Sequence, residues 1–418
     1  MSVDILALLA LVVVIVISAI RTDLNTGLLS MAFAYVIGVY VAGLSVSEIS
    51  TYLPEQLVLT LVGVTLLFEM AHENGTLDKL AELAMKAVRG HPALLPFIFF
   101  LLTFTLSAIG PGNIASVALI APIGMAVAIN SGINPLVMAI MICTGANAGA
   151  FSPVALTGII NTGLMSQIGI NDPSITLQIF FLVASLQSIS ALFAYFIFAG
   201  YRIQKSHTTN SLFIQSSIEP FNKKQILTLL SILVLVISVV VFNMSVTVGA
   251  FVLAGILGLF KIGDSDKGLQ RLPWGIISLV AGISVLVGLL ETTGGLDLAT
   301  NILASYSSTT TINGMLAFTT GIVSIYSSSS GVVMPTFIPL LPSLMERLGG
   351  GDLVEMIVAV NMGSHLVDVS PLSTLGALCL AALPETINKS IIFRKLLLWG
   401  ISMSVVGALL AYIFLDLL

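Results

Sequence analysis

Ser107-Ala-Ile-Gly-Pro-Gly-Asn113 interrupts a long apolar run, and a second interruption, Ser327-Ser-Ser-Ser-Gly331, recurs in the later half of the chain. Non-helical backbone at membrane depth is tolerated only where protein buries it or where it lines an aqueous cavity. Composition places both runs in a membrane: 57% of the 418 residues are hydrophobic and 8% are charged, with a mean hydropathy of +1.10. The chain reads as an all-α polytopic membrane protein. Its formal charge of -5 says little about partners, because distribution across the bilayer matters more than the sum, and no basic stretch suggests nucleic acid. Cys143 and Cys379 lie inside apolar segments and exclude a disulfide framework or a CxxC site. Glu69, His72 and Glu73 have no further ligand nearby in sequence, so no transition-metal site is expected. The first apolar run lacks a basic leader and a cleavage signature and reads as a retained helix.

Outward from the first break, residues 93–107 and 114–130 are apolar arms, and together 93–130 predict a re-entrant hairpin. Before it lie spans at 3–20, 26–44 and 56–71, then a mixed segment, 76–89, whose Leu77, Leu80, Leu83, Ala84 and Ala87 fall at helical spacing as in an interfacial helix. After it comes a run at 135–164 broken by Thr144-Gly-Ala-Asn-Ala-Gly-Ala-Phe-Ser-Pro153, which predicts a discontinuous helix with an unwound middle. A span at 173–201 follows, then a polar linker at 202–224. The plan then repeats: spans at 225–242, 246–260 and 273–290, a connector at 291–311, a hairpin at 312–345 around the serine break, a broken run at 353–383 and a last span at 389–415. Gly75-Thr-Leu-Asp78 is echoed by Gly294-Gly-Leu-Asp297, and the broken run by Met362-Gly-Ser-His-Leu-Val-Asp-Val-Ser-Pro371. Residues 1–201 and 225–418 are therefore read as two repeats.

Lys and Arg collect in cytoplasmic loops. If the first span runs from outside to inside, only Arg347 of the 15 basic residues falls outside, and the two hairpins enter from opposite faces. The repeat is then inverted, as in secondary transporters with a site at the repeat interface. The expected location is the cytoplasmic (inner) membrane, with both termini outside.

No Arg or Lys occurs in any of the four breaks. A substrate anion would thus be held by Gly112, Asn113, Ser328, Ser329, Ser330, Gly331 and the breaks carrying Pro153 and Pro371, using side chains and helix N-termini. Carbonyls of unwound segments coordinate cations in such folds, so Ser107, Asn113, Gly145 and Asn147 form one expected cation site. Ser327, Ser328, Gly363, His365 and Asp368 form the other. An acid inside a span costs roughly 2.5–3.5 kcal/mol on the insertion scale, which marks Asp368 as functional. A channel, or a hydrolase with a Ser330–His365 dyad, are the readings from other classes; the hydrolase leaves the repeat unexplained.

Gly-Pro-Gly-Asn113 with Pro122-Ile123, the 145–153 run with Gly158-Ile-Ile-Asn161, and Ser-Ser-Ser-Gly331 together resemble the MatC-type malonate and dicarboxylate carriers. These are members of the ion transporter superfamily, which includes the divalent anion:sodium symporters. The symporters carry a Ser-Asn-Thr motif at each hairpin tip; here Asn113 and Ser329 keep the type at matched positions, while Ser330 replaces an asparagine and both threonines are missing. The resemblance implies that Asn113 touches carboxylate and cation, and that Ser329 and Ser330 contact the carboxylate from the other side. It also implies a homodimer and elevator-type alternating access. The expectation is a membrane carrier, not an enzyme, that moves a small dicarboxylate such as malonate or succinate by Na⁺ symport and needs no cofactor beyond the coupling ion. Its partners are a small organic anion, a monovalent cation and lipid. A proton-coupled carrier of a monocarboxylate or a sulfonate is the alternative, since His365 and Asp368, one helical turn apart, would form a proton relay that titrates near neutral pH.

Overall fold

Side chains that cap helices set many of the boundaries. Asn25, Asn134, Asp172, Asn222, Asp352 and Asn388 each accept hydrogen bonds from backbone N–H groups of the turn they precede, satisfying donors a helix start leaves open. The computed structural model describes residues 2–416 apart from 22–23, 78, 80–91, 199–219, 243 and 384–386. The expected interfacial helix at 76–89 and the linker at 202–224 lie largely outside the described residues.

The first half contains α1 (Val3–Ile20), α2 (Thr26–Tyr40), the short α3 (Val46–Ser50) and α4 (Glu55–Glu73). It continues through α5 (Leu95–Ala108), α6 (Gly112–Asn130), α7 (Pro135–Ala150), α8 (Leu156–Gln167) and α9 (Pro173–Ile197). The second half runs α10 (Lys223–Val240), α11 (Val246–Leu259), α12 (Ser265–Arg271), α13 (Trp274–Thr293) and α14 (Gly295–Ser305). It closes with α15 (Ile312–Tyr326), α16 (Met334–Phe337), α17 (Leu341–Leu348), α18 (Leu353–Leu366), α19 (Thr374–Ala381) and α20 (Lys389–Ala411). The segment read as a connector at 291–311 is thus helical over Gly295–Ser305, its small residues packing that helix on α1 and α13. Among the described residues, six helical segments are long and apolar enough to cross a membrane. Exposed Ile226, Leu230, Val234 and Ile237 fall in one stripe of α10, a surface suited to lipid rather than water. The protein is a multi-pass membrane protein.

Packing recurs in matched pairs. In the first half α5 lies on α7 and α7 on α9; in the second, α15 lies on α18 and α18 on α20. The third long span of each half packs on the first two of the other: α13 on α1 and α2, α4 on α10 and α11. The halves are therefore interlocked through helix faces, and the hairpin and broken-helix elements of both meet between these two outer groups.

The expected unwinding at 144–153 and 362–371 is displaced. Helix α7 continues through Ala150 and α18 through Leu366, followed by a single 3₁₀ turn at Val367–Val369. The breaks begin only at Phe151 and Ser370, where the Ser-Pro pairs enter. The glycines that suggested unwinding serve close helix crossing instead. A Cβ on Gly145 would lie 2.4 Å from the Phe100 carbonyl oxygen, and one on Gly363 would lie 2.2 Å from that of Ala317. Small residues allow backbones to approach in this way in membrane helices.

Candidate functional site

At the first break, the tip between two helices, α5 ends at Ala108 and the chain turns through Gly110 and Gly112, whose φ values of 143° and 79° suit glycine. The turn delivers Asn113 to the start of α6, with its side chain facing α7. At the second tip Ser327 and Ser328 are extended, and a single π turn, Ser329–Val333, leads into α16. The Ser328 hydroxyl closes that turn by accepting from the Gly331 N–H at 3.0 Å. Single π turns of this kind are frequent at functional sites.

Both tips converge on one carboxylate. Asp368, 4% exposed, accepts from Ser329 Oγ at 2.6 Å and from Ser373 Oγ at 3.2 Å on one oxygen, and from Asn147 Nδ2 at 3.2 Å on the other. Asn147 also donates to the His365 carbonyl at 2.8 Å and accepts from Asn113 Nδ2 at 2.7 Å. Ser324 lies 2.6 Å from Ser329. A continuous chain, Asn113–Asn147–Asp368–Ser329, thus joins the tips through α7 and the 3₁₀ turn after α18. Asp368 has no ion-pair partner among the described residues, and its ligands are neutral donors. A buried carboxylate held in this way can take up a cation without first breaking a salt bridge.

This chain borders a cavity of about 390 Å³. Asn113, Ser327, Ser328, Ser329, Ser330 and Asp368 line it, with Ser373 and Thr374 beside them. Its remaining wall comes from the α1–α2 junction, including Arg21, Asn25 and Thr26, and from Gly275 and Leu279 of α13. A separate cavity of about 440 Å³ lies between the start of α4, the end of α8, the start of α9 and the α10–α11 turn. Glu55 and Asp172 are its charged groups; the Ser174 backbone N–H beside Asp172 holds that carboxyl below the usual carboxylate range.

The residues expected from sequence separate accordingly. Gly112 and Gly331 shape the tips, and Asn147 stands one hydrogen bond behind Asn113. Gly145 and Gly363 are corrected from cation ligands to packing positions, because their carbonyls belong to continuous helices. Ser107 is buried within α5, its hydroxyl without a hydrogen-bond partner among the described residues, and does not border the cavity. Pro153 lines the other cavity, and Pro371 is buried in its turn outside both. His365 does not pair with Asp368 or Ser330; its Nδ1 meets the Asn361 carbonyl at 2.9 Å and Ser364 Oγ at 3.0 Å, and its ring packs on Phe151. Neither the His–Asp relay nor the Ser–His dyad is formed, because one helical turn aims the ring back along α18.

Three features escaped the sequence reading. Ser324 and Ser373 flank the tip and the Ser-Pro turn, close enough in sequence to Ser329 and Asp368 to have been included. Arg21 enters from another helix pair and left no local signal. Cys143 and Cys379, which spacing alone kept apart, meet in the interior with sulfurs 3.6 Å apart and both thiols free.

Residues 1–150 match the family described as the dicarboxylate carrier protein MatC N-terminus. No curated protein sequence matches the chain. Among solved structures the chain resembles Neisseria gonorrhoeae MtrF, reported within a class of antimetabolite efflux pumps, at 15% identity and a TM-score of 0.60, covering 100% of this chain and 96% of that one. It also resembles the Alcanivorax borkumensis YdaH transporter at 14% identity and a TM-score of 0.54, covering 88% and 86% of the two chains. These likenesses establish the fold alone. The family match covers 150 of the 418 residues and agrees with the motif resemblance.

Proposed function

We propose that the protein is a secondary carrier of a small dicarboxylate, such as malonate or succinate, coupled to a monovalent cation and built from inverted repeats. The observation that carries this reading is the convergence of both tips on Asp368 beside a polar cavity of about 390 Å³. A cation held at Asp368 raises the local potential, and the substrate carboxylate then docks against Asn113 and the Ser328–Ser330 hydroxyls. Cation and anion strengthen each other's binding by the same factor. With Arg21, Lys261, Lys267 and Arg271 on the cytoplasmic side, the cavity that Arg21 borders opens inward, and the cavity at Glu55 and Asp172 lies toward the outside. Na⁺ is the coupling ion favoured by the resemblance, since the site is built of oxygen ligands without a His–Asp pair. The homodimer that the family implies is tested by mass photometry in detergent.

Uptake of labelled malonate and succinate into proteoliposomes tests the reading, with an inward Na⁺ gradient, an inward H⁺ gradient and neither. The expected result is accumulation under the Na⁺ gradient. Accumulation under H⁺ alone reassigns the coupling ion; no accumulation of either acid under any gradient refutes the reading.

An elevator motion makes a second demand. Cys143 on α7 and Cys379 on α19 both belong to the group formed by the hairpins and broken helices, so linking them leaves their relative motion against the outer helices free. Oxidation by copper-phenanthroline, followed by thiol counting, is expected to leave uptake within about twofold of the reduced protein. Full arrest on cross-linking, reversed by a reductant, would show that α7 and α19 must move apart during transport.

A further inference from the structure

We infer that Arg21 holds the second carboxylate of the substrate, and so makes this cavity prefer dicarboxylates to monocarboxylates. The inference rests on the carrier reading above. Among the described residues, the wall of the cavity contains one basic residue, Arg21, and one acidic residue, Asp368. The tip residues supply only neutral donors, Asn113 and the serine hydroxyls. They suit one carboxylate when a cation at Asp368 balances it. A dianion brings a second negative charge, and neutral hydroxyls leave that charge without a counter-ion.

Arg21 stands where such a counter-ion is needed. It caps the C-terminal end of α1, its N–H bonded to the Ile17 carbonyl, a position where the helix dipole favours a cation. The residue is exposed and lines the cavity wall built by the α1–α2 junction, the same cavity that the tips border. The cavity, at about 390 Å³, holds a three- or four-carbon diacid together with water. A guanidinium presents paired N–H groups that match a carboxylate in its plane, which an ammonium does not. Helix α1 packs on α2, α13 and α14, so Arg21 approaches the substrate from the outer helices while the tips hold the other end. The two ends of a diacid would thus be read by two different structural groups.

The alternative role for Arg21 is that of a charge fixing helix orientation in the membrane, which would be indifferent to substrate. Wild type, Arg21→Gln and Arg21→Lys are compared in proteoliposomes, measuring the KM for labelled succinate and the inhibition constant of butyrate in the same assay. Arg21→Gln is expected to raise the succinate KM about 10–100-fold, the effect of removing a partner from a charged hydrogen bond, while butyrate inhibition changes by less than about threefold. Arg21→Lys is expected to fall between, because it keeps charge and loses the fork. An unchanged ratio of the two constants in Arg21→Gln overturns the inference, as does an equal loss for both acids. If Arg21→Gln fails to assemble, Arg21→Lys alone decides, a ratio equal to wild type overturning the proposal. A wild-type protein that accumulates no diacid refutes the carrier reading itself, a result distinct from any of these.

Discussion

Asp368→Asn is expected to reduce gradient-driven accumulation by roughly a hundredfold while leaving the fold intact. The substitution preserves size and hydrogen-bonding capacity. Ser329 and Ser373 each carry a rotatable hydroxyl able to accept as well as donate, so the contacts at 2.6 and 3.2 Å can be remade with an amide. What disappears is the only acidic side chain bordering the cavity among the described residues. Losing one member of a buried cation–carboxylate pair costs about 3–5 kcal/mol, and about 1.4 kcal/mol is a factor of ten, so at least two orders of magnitude follow. Thermal unfolding in detergent should move little or upward, because a buried acid has been replaced by a neutral group. Uptake of malonate or succinate equal to wild type, with the same cation dependence, would remove Asp368 from the coupling role and leave it a structural ligand of the two tips.

The places where helices must stop were legible because the chemistry of stopping is local. Gly110-Pro-Gly and the serine run at 327–330 interrupt apolar periodicity within a few residues, and at both a helix ends. Ser152-Pro153 and Ser370-Pro371 likewise became turns. The runs before them misled, because Gly145, Gly149 and Gly363 can signal either an unwound segment or a close helix crossing. Which applies depends on what lies opposite, here the backbones of Phe100, Phe104 and Ala317. Long-range placement was equally hidden. The bond from Asn147 to Asp368 spans 221 residues, and the Cys143–Cys379 contact spans 236. Arg21 was recognised as an inside charge, yet nothing near it in sequence linked it to Asn113 or Ser330. His365 shows the converse error: three residues from Asp368 suggested a pair, and the ring is bonded one turn back, to Asn361.

Gly363→Ala and Gly255→Ala are expected to change stability in opposite directions, although each adds one methyl to a helix. In a helix interior alanine is favoured over glycine by about 1 kcal/mol. At Gly255, on α11, a Cβ meets nothing within 4 Å, so that gain stands alone. At Gly363, on α18, the same atom would sit 2.2 Å from the Ala317 oxygen, 2.5 Å from its Cα and 2.7 Å from its carbonyl carbon. All three are backbone, so no rotamer change relieves the clash and α18 must separate from α15. Overpacking of this kind costs about 1–3 kcal/mol or more, which outweighs the propensity gain and leaves Gly363→Ala destabilised by up to about 2 kcal/mol. The displacement would reach the tips as well, since Ser364 and the turn carrying Asp368 follow directly and both bond Ser329. Gly145→Ala should behave as Gly363→Ala does, with its Cβ 2.4 Å from the Phe100 oxygen. Unfolding temperatures measured in one detergent decide the matter: both α7 and α18 variants should fall below wild type while the α11 variant rises. If all three shift upward together, the helix crossings are looser than described and the glycines regain their reading as points of unwinding.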